Sequence, residues 1–280
     1  MNARGKPLTP FETFKARFED LLKELFPTET RNIGGAELSI PQFFELRIDT
    51  QWTDFFWHYK DYRTNTFDNA VMNLIWALVR ISLNPASPTF ADDTTTLRNR
   101  HFSNSYQAFH EPGWLTRDFA LNLICLLEAW SSGGAKLAPA LDSKRFYDEG
   151  TSFRKAIEEP ANLEYTELVQ FAALVFYLRQ HDGKALDAKS LGEWMRVVFN
   201  LAMNSELGRP EEFGRCLAGL QKLVPYGPKI LEHLYVADIG QMGFSSQQVR
   251  EEILKAKLIL SHPDWRARID AAEEHSYFSG

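Results

Sequence analysis

The sequence predicts an all-α protein, a multi-helix bundle with short loops arranged as two helical regions. Three observations carry this. Apolar residues recur at spacings of three and four in one segment after another, the period of a helix with one buried face. Cap residues and Pro or Gly breakers bracket those segments. No segment sustains the every-second-residue alternation of a half-buried strand, and no internal repeat runs along the chain.

Taken in order, Thr9-Pro10-Phe11-Glu12 is a capping box with Pro at the first helical position. Behind it Phe11, Phe14, Phe18, Leu21, Leu22 and Leu25 share one face until Pro27 ends the pattern. Asn32-Ile33-Gly34-Gly35 reads as a loop. A second helix is expected from Pro41 towards Tyr59, with Phe44, Ile48, Trp52, Phe55 and Phe56 inward. A third, over 67–82, is apolar on most sides and so buried, and Asn84-Pro85 and Ser87-Pro88 stop it. Residues 85–100 read as an exposed polar loop. A helix over 115–130 has Phe119, Leu123, Leu126, Leu127 and Trp130 in register, with Ser131-Ser132-Gly133-Gly134 as its stop. Residues 131–162 form a loop-rich connection with one short helix from Thr151, dividing a first region, 1–130, from a second, 163–280. Helices follow over 165–181, 190–204, 210–223, 229–235, 246–260 and 263–275.

Composition narrows the function. The 280 residues are 44% hydrophobic and 24% charged, an ordinary globular balance. Lys and Arg number 31 against 37 Asp and Glu, a net charge of −6 that argues against whole-surface nucleic-acid binding but leaves room for a local basic stripe. Cys125 and Cys216 give no disulfide framework and point to a reducing cytoplasm. The apolar runs 69–79 and 168–178 are about half of what crossing a bilayer takes, and Arg4 and Lys6 precede no signal-peptide core, so no membrane partner is expected.

Enzyme signatures were sought by spacing. No His-Glu-x-x-His occurs, the seven His are scattered, and the Cys pair lacks zinc spacing. Gly34-Gly35 and Gly133-Gly134 are simple turns without phosphate-loop or dinucleotide context. Asp187-Ala188-Lys189, an acid-x-Lys triplet of the kind nucleases use for metal, sits where a helix begins and reads as a capping turn. Arg98-Asn99-Arg100-His101 lacks the Arg–His spacing of helical ribonucleases and reads as a solvated basic turn, with Arg98 and Arg100 as candidate phosphate contacts. Trp52, Phe55, Phe56, Trp57, Tyr59 and Tyr62 could stack bases, but their spacing favours the core. Arg250, Lys255, Lys257, Arg266 and Arg268 are nearly cancelled by Glu251, Glu252, Asp264 and Asp270, which makes a solvated face with Lys255 and Lys257 as candidate phosphate contacts. No catalytic residue, metal ligand or cofactor of the chain's own is expected.

Four stretches, in order, carry a resemblance: Asn2-Ala3-Arg4-Gly5-Lys6-Pro7-Leu8 within 1–9, Trp52-Thr53-Asp54-Phe55-Phe56-Trp57, residues 193–201, and residues 252–260 with Trp265 and 272–278. Together they resemble the GmrSD-type family of bacterial modification-dependent restriction proteins, whose N-terminal domain is ParB/sulfiredoxin-like. The resemblance implies that Asn2, Arg4 and Gly5 belong to a nucleotide or DNA pocket; Lys6 is a further candidate phosphate contact, and read without the resemblance these residues are a flexible tail before a capped helix. The family's Asp-Gly-Gln-Gln-Arg motif is missing, and Leu231-Glu232-His233-Leu234 lacks the Asn and second His of a His-Asn-His nuclease. The expectation is therefore the family's helical middle region, truncated at both ends. It would link a nucleotide-dependent, modified-DNA-sensing domain to an effector nuclease, without catalysis of its own and with at most weak, salt-sensitive DNA contact. Nucleoside triphosphate and divalent metal are expected for the parent family only, and the missing ParB-like and nuclease domains are the expected partners. The alternative is a self-contained helical module that binds a protein through exposed aromatics. Phe11, Phe14 and Phe18 discriminate between them: packing inside the chain's own bundle favours the module. A third reading, a helical ribonuclease, would need a charged cleft around His101 or His181.

Overall fold

The computed structural model describes residues 8–64, 66–99, 105–141, 155–158, 163–182, 184, 186–203, 207–236, 244, 246–262, 264 and 267, with 133–141, 203 and 246 as backbone only. The fold is all-α apart from one two-stranded hairpin. Two compact units divide the chain: Met1–Asn84 with Asp92–Gly133 and Arg154–Leu163, and Pro85–Ala91 with Gly134–Phe153 and Glu164–Gly280. No helix among the described residues is long and apolar enough to cross a membrane.

In the first unit α1 (Pro10–Leu25) starts at the capping box: the Glu12 amide donates to Thr9 Oγ1 at 3.2 Å and the Thr9 amide to Glu12 Oε2 at 2.8 Å. The stretch read as a loop is the turn of a hairpin between β1 (Thr30–Ile33) and β2 (Ala36–Ser39). Gly34 and Gly35 take φ of 57° and 92°, left-handed values only glycine adopts freely, and Asn32 Oδ1 accepts the Gly35 amide at 3.0 Å. Strands of four residues are too short to show alternation.

The expected 41–59 helix is two helices, α2 (Ile40–Ile48) and α3 (Gln51–Trp57). The break falls at Asp49-Thr50, where the Thr50 hydroxyl donates back to the Leu46 carbonyl at 2.6 Å and its backbone leaves the helical region (φ −125°, ψ −101°). The change of direction seats Trp52 against Phe44, ring centroids 5.7 Å apart, with its indole N–H on Glu128 Oε1 at 3.0 Å.

The buried α4 (Asp68–Ser82) matches the expected third helix. Its Asn73 side-chain amide donates to the Ile157 carbonyl at 2.7 Å, and the guanidinium of fully buried Arg80 lies 3.5 Å from the Leu163 carbonyl. The returning segment is thus held on α4 by polar side chains.

Two expectations are corrected here. The stretch expected as an exposed loop contains α5 (Phe90–Asn99), whose buried face is Phe90, Thr94 and Leu97, too sparse a stripe to read among Thr and Asp. After the short α6 (Gln107–His110), α7 (Arg117–Leu141) runs through Gly133-Gly134 instead of ending there. The hydroxyls of Ser131 and Ser132 donate to the Leu127 and Glu128 carbonyls one turn back, so these residues continue the helix. The unit's core is aromatic: Phe18 meets Phe14, Phe44 and Phe119 at 4.9, 5.2 and 5.8 Å.

The second unit is built on α8 (Tyr165–Gln180), buried on nearly every side, against which α9 (Ala188–Met203) and α10 (Pro210–Leu223) pack. Trp194 of α9 donates its indole N–H to the Ala173 carbonyl at 3.0 Å. A 3-10 turn (Val224–Lys229) leads into α11 (Ile230–Val236), which lies against α12 (Ser246–Ser261). Gly227 in that turn admits the Tyr177 ring so closely that a Cβ would stand 2.8 Å from it. Phe213 stacks on Tyr165 at 4.9 Å and on Phe90 at 6.2 Å. The helix expected over 263–275 and the start of the short helix at Thr151 lie outside the described residues.

Candidate functional site

The aromatic run of α3 divides in two. Trp52 and Phe56, one turn apart, are sealed in the first unit's core, as their spacing predicts. Trp57 and Tyr62 are not: Trp57 is 41% exposed and Tyr62 87%. Trp57 ends α3, and Tyr62 stands on the hydrogen-bonded turn that follows. The Asp61 amide donates to the Thr66 carbonyl at 2.9 Å, Asp61 Oδ1 accepts the Arg63 amide at 2.7 Å, and the Thr64 and Thr66 hydroxyls lie 3.1 Å apart. Trp57 keeps one edge on Phe67, centroids 5.1 Å apart, so its ring is anchored on one side and open on the other. Lys60 Nζ sits 5.8 Å from the Trp57 centroid and 5.4 Å from that of Tyr62, a cation shared by two rings. The result is a fixed aromatic knuckle with Lys60 and Arg63 beside it and Asp54 and Asp61 as local counter-charges. Periodicity placed all six aromatics together; what separates them is the end of α3 at Trp57, a boundary the sequence does not mark.

In the second unit a charged cluster joins α9 to α12. Glu252, 1% exposed, accepts from Asn200 Nδ2 at 3.0 Å and Lys255 Nζ at 2.8 Å through Oε1, while Oε2 lies 3.6 Å from Arg196. Arg196 in turn lies 3.5 Å from Glu193. Two anions and two cations balance there. Read along the sequence, Glu252 looked like a surface counter-charge; the spacing of Val249, Ile253, Ala256 and Ile259, all buried, places it on the inner face instead.

Of the candidate phosphate contacts, Lys255, Lys257 and Arg98 fall among the described residues. Lys255 is committed to Glu252, and Lys257, two positions on, is exposed on the same helix. Arg98 is exposed at the end of α5 in the first unit. Asn2, Arg4, Gly5, Lys6, Arg100 and His101 lie outside the described residues, as do Arg266 and Arg268. Asp187 behaves as a cap: its carboxylate accepts the Ser190 amide at 3.1 Å and hydroxyl at 2.5 Å, and these bonds hold it below the usual carboxylate range. His181 stacks on Tyr177 and its Nδ1 lies 2.8 Å from the Tyr177 carbonyl. Burial pushes the Cys216 thiol up to about 12 and so keeps it protonated. The sequence matches no family model, no curated protein and no solved structure.

Proposed function

We propose that the chain is a self-contained helical interaction module that engages a protein partner through the Trp57–Lys60–Tyr62 knuckle. One observation carries the reading: Phe14 and Phe18 are consumed by the chain's own core, while Trp57 at the end of α3 and Tyr62 on the braced turn after it are exposed. Aromatic anchors of this kind supply most of the binding energy of protein interfaces, because they bury large area with few rotamers to freeze. Affinity capture from the source cell with the native chain and with a Trp57→Ala/Tyr62→Ala variant tests it. A protein retained by the native chain and lost by the variant is expected; identical retention by both refutes the role of the turn.

A second reading is favoured by where the resembling stretches fall. Within the described parts of those stretches Trp52, Phe56, Trp194, Leu201, Ile253 and Ile259 are buried and Trp57 is exposed. In the reading that rests on the likeness to the GmrSD-type family the module is the helical region of a prokaryotic anti-phage restriction protein, joining a nucleotide-dependent, modified-DNA-sensing domain to an effector nuclease, and the knuckle is where one of those domains docks. Nucleotide and metal belong to the parent's other domains, and DNA contact is weak and salt-sensitive. Nucleotide turnover by the purified 280-residue chain would overturn it. An in-frame Asp-Gly-Gln-Gln-Arg upstream in the gene would support it.

A further inference from the structure

The second unit carries a recess of about 580 Å³ that is independent of the aromatic knuckle. Its walls come from the start of α9, the passage from the 3-10 turn into α11, and the end of α12. Ile259 and Leu260, the latter 40% exposed, give it an apolar wall. Around them stand two cations, Lys189 and Lys229, and three carboxylates, Asp187, Glu193 and Glu232.

The three carboxylates are not equivalent. Asp187 is used by the Ser190 cap, with the Lys189 amide and charge also turned towards it. Glu193 faces Arg196 at 3.5 Å. Neither the Lys189 nor the Lys229 ammonium forms an ion pair among the described residues, and Glu232 is exposed at the rim. The recess therefore offers two ammonium groups for one anion, one carboxylate for N–H donors, and an apolar wall for one side chain.

We propose that this recess captures the C-terminus of a peptide chain: its carboxylate between Lys189 and Lys229, its last, apolar side chain against Ile259 and Leu260, and a backbone N–H donating to Glu232. A peptide terminus carries these three features within one residue or two, and capture of a terminal carboxylate is an established mode of recognition. A phosphate brings more charge and no apolar part for Ile259 and Leu260. An aliphatic acid leaves Glu232 without a donor. The volume lies within the range of small-ligand sites.

The test uses the full chain and N-acetyl-Gly-Gly-Leu as the free acid and as the C-terminal amide, followed by methyl NMR of the isoleucines and leucines. The acid should shift the Ile259 and Leu260 methyls with a Kd of about 1 mM, and the amide should bind at least about tenfold more weakly. Lys189→Glu/Lys229→Glu should lose the acid by a similar factor while keeping the native melting temperature, since both side chains are exposed. Equal binding of acid and amide, no effect of the charge reversal, or no methyl shift with either peptide would overturn the proposal. So would equally tight binding of N-acetyl-Gly-Asp-Leu amide, whose only carboxylate is internal.

Discussion

Replacing Phe18 with Ala removes the centre of the first unit's core. The ring is fully buried and lies on Phe14, Phe44 and Phe119 at 4.9, 5.2 and 5.8 Å. A buried Phe→Ala change costs about 3–5 kcal/mol through lost transfer energy and the cavity left behind. Edge and stacked ring pairs add roughly 0.5–1.5 kcal/mol each. Three such partners place Phe18→Ala at the upper end, about 4–5 kcal/mol. With a urea slope of about 2 kcal/mol/M, the midpoint of the first unit's transition should fall by roughly 2 M. Phe11, half-buried and with one ring partner, Phe67 at 5.3 Å, serves as the internal control and should cost about 1–2 kcal/mol when replaced by Ala. Urea titration by circular dichroism, with hydrogen exchange of the α1 amides assigning the transition, reads both. A loss below about 1 kcal/mol for Phe18→Ala, or a larger loss for Phe11→Ala, would refute a core closed by the chain itself.

Other consequences are equally direct. Gly227→Ala should cost about 1–3 kcal/mol by overpacking, because its Cβ would meet the Tyr177 ring at 2.8 Å; thermal melts check it. Glu252→Ala should cost about 1–3 kcal/mol, because Asn200 and Lys255 lose their acceptor while Arg196 keeps Glu193 at 3.5 Å; the same melts read it. His233 stacks flat on Tyr226, 3.8 Å between centroids, and burial holds its pKa below the usual histidine value. The fold then favours the neutral ring, so this contribution is present above about pH 6.5 and is lost as pH falls through the depressed folded value. His233→Gln should flatten that part of the acid limb in melts taken across the range.

What the sequence displayed was periodic burial. The capping box at Thr9, the apolar faces of α1 and α4, and the cap at Asp187 follow from local rules, and the structure has them. Where a tertiary or single-atom effect decides, the local rules stop. The Thr50 hydroxyl folds back on a carbonyl where one expected helix splits, and those of Ser131 and Ser132 do the same where another runs on past two glycines, so the surroundings set the outcome. At the candidate site the aromatic residues were legible but their sorting was not, since it turns on where α3 ends, at Trp57, and on the turn after it that carries Tyr62. The recess on the second unit joins residues from three separated segments, a juxtaposition no spacing displays.

The chain's repeated passage between its two units bears on biosynthesis. A ribosome releases Phe90 long before Phe213, the ring it stacks on, and releases α4 long before Ile157 and Leu163, whose carbonyls answer Asn73 and Arg80. A nascent chain halted after Gly133 would thus be two unfinished bodies, with an aromatic ring and a buried guanidinium both awaiting partners not yet translated. Dissection of this protein by simple truncation will accordingly yield aggregation-prone pieces, and its halves are separable only by rejoining segments in a new order.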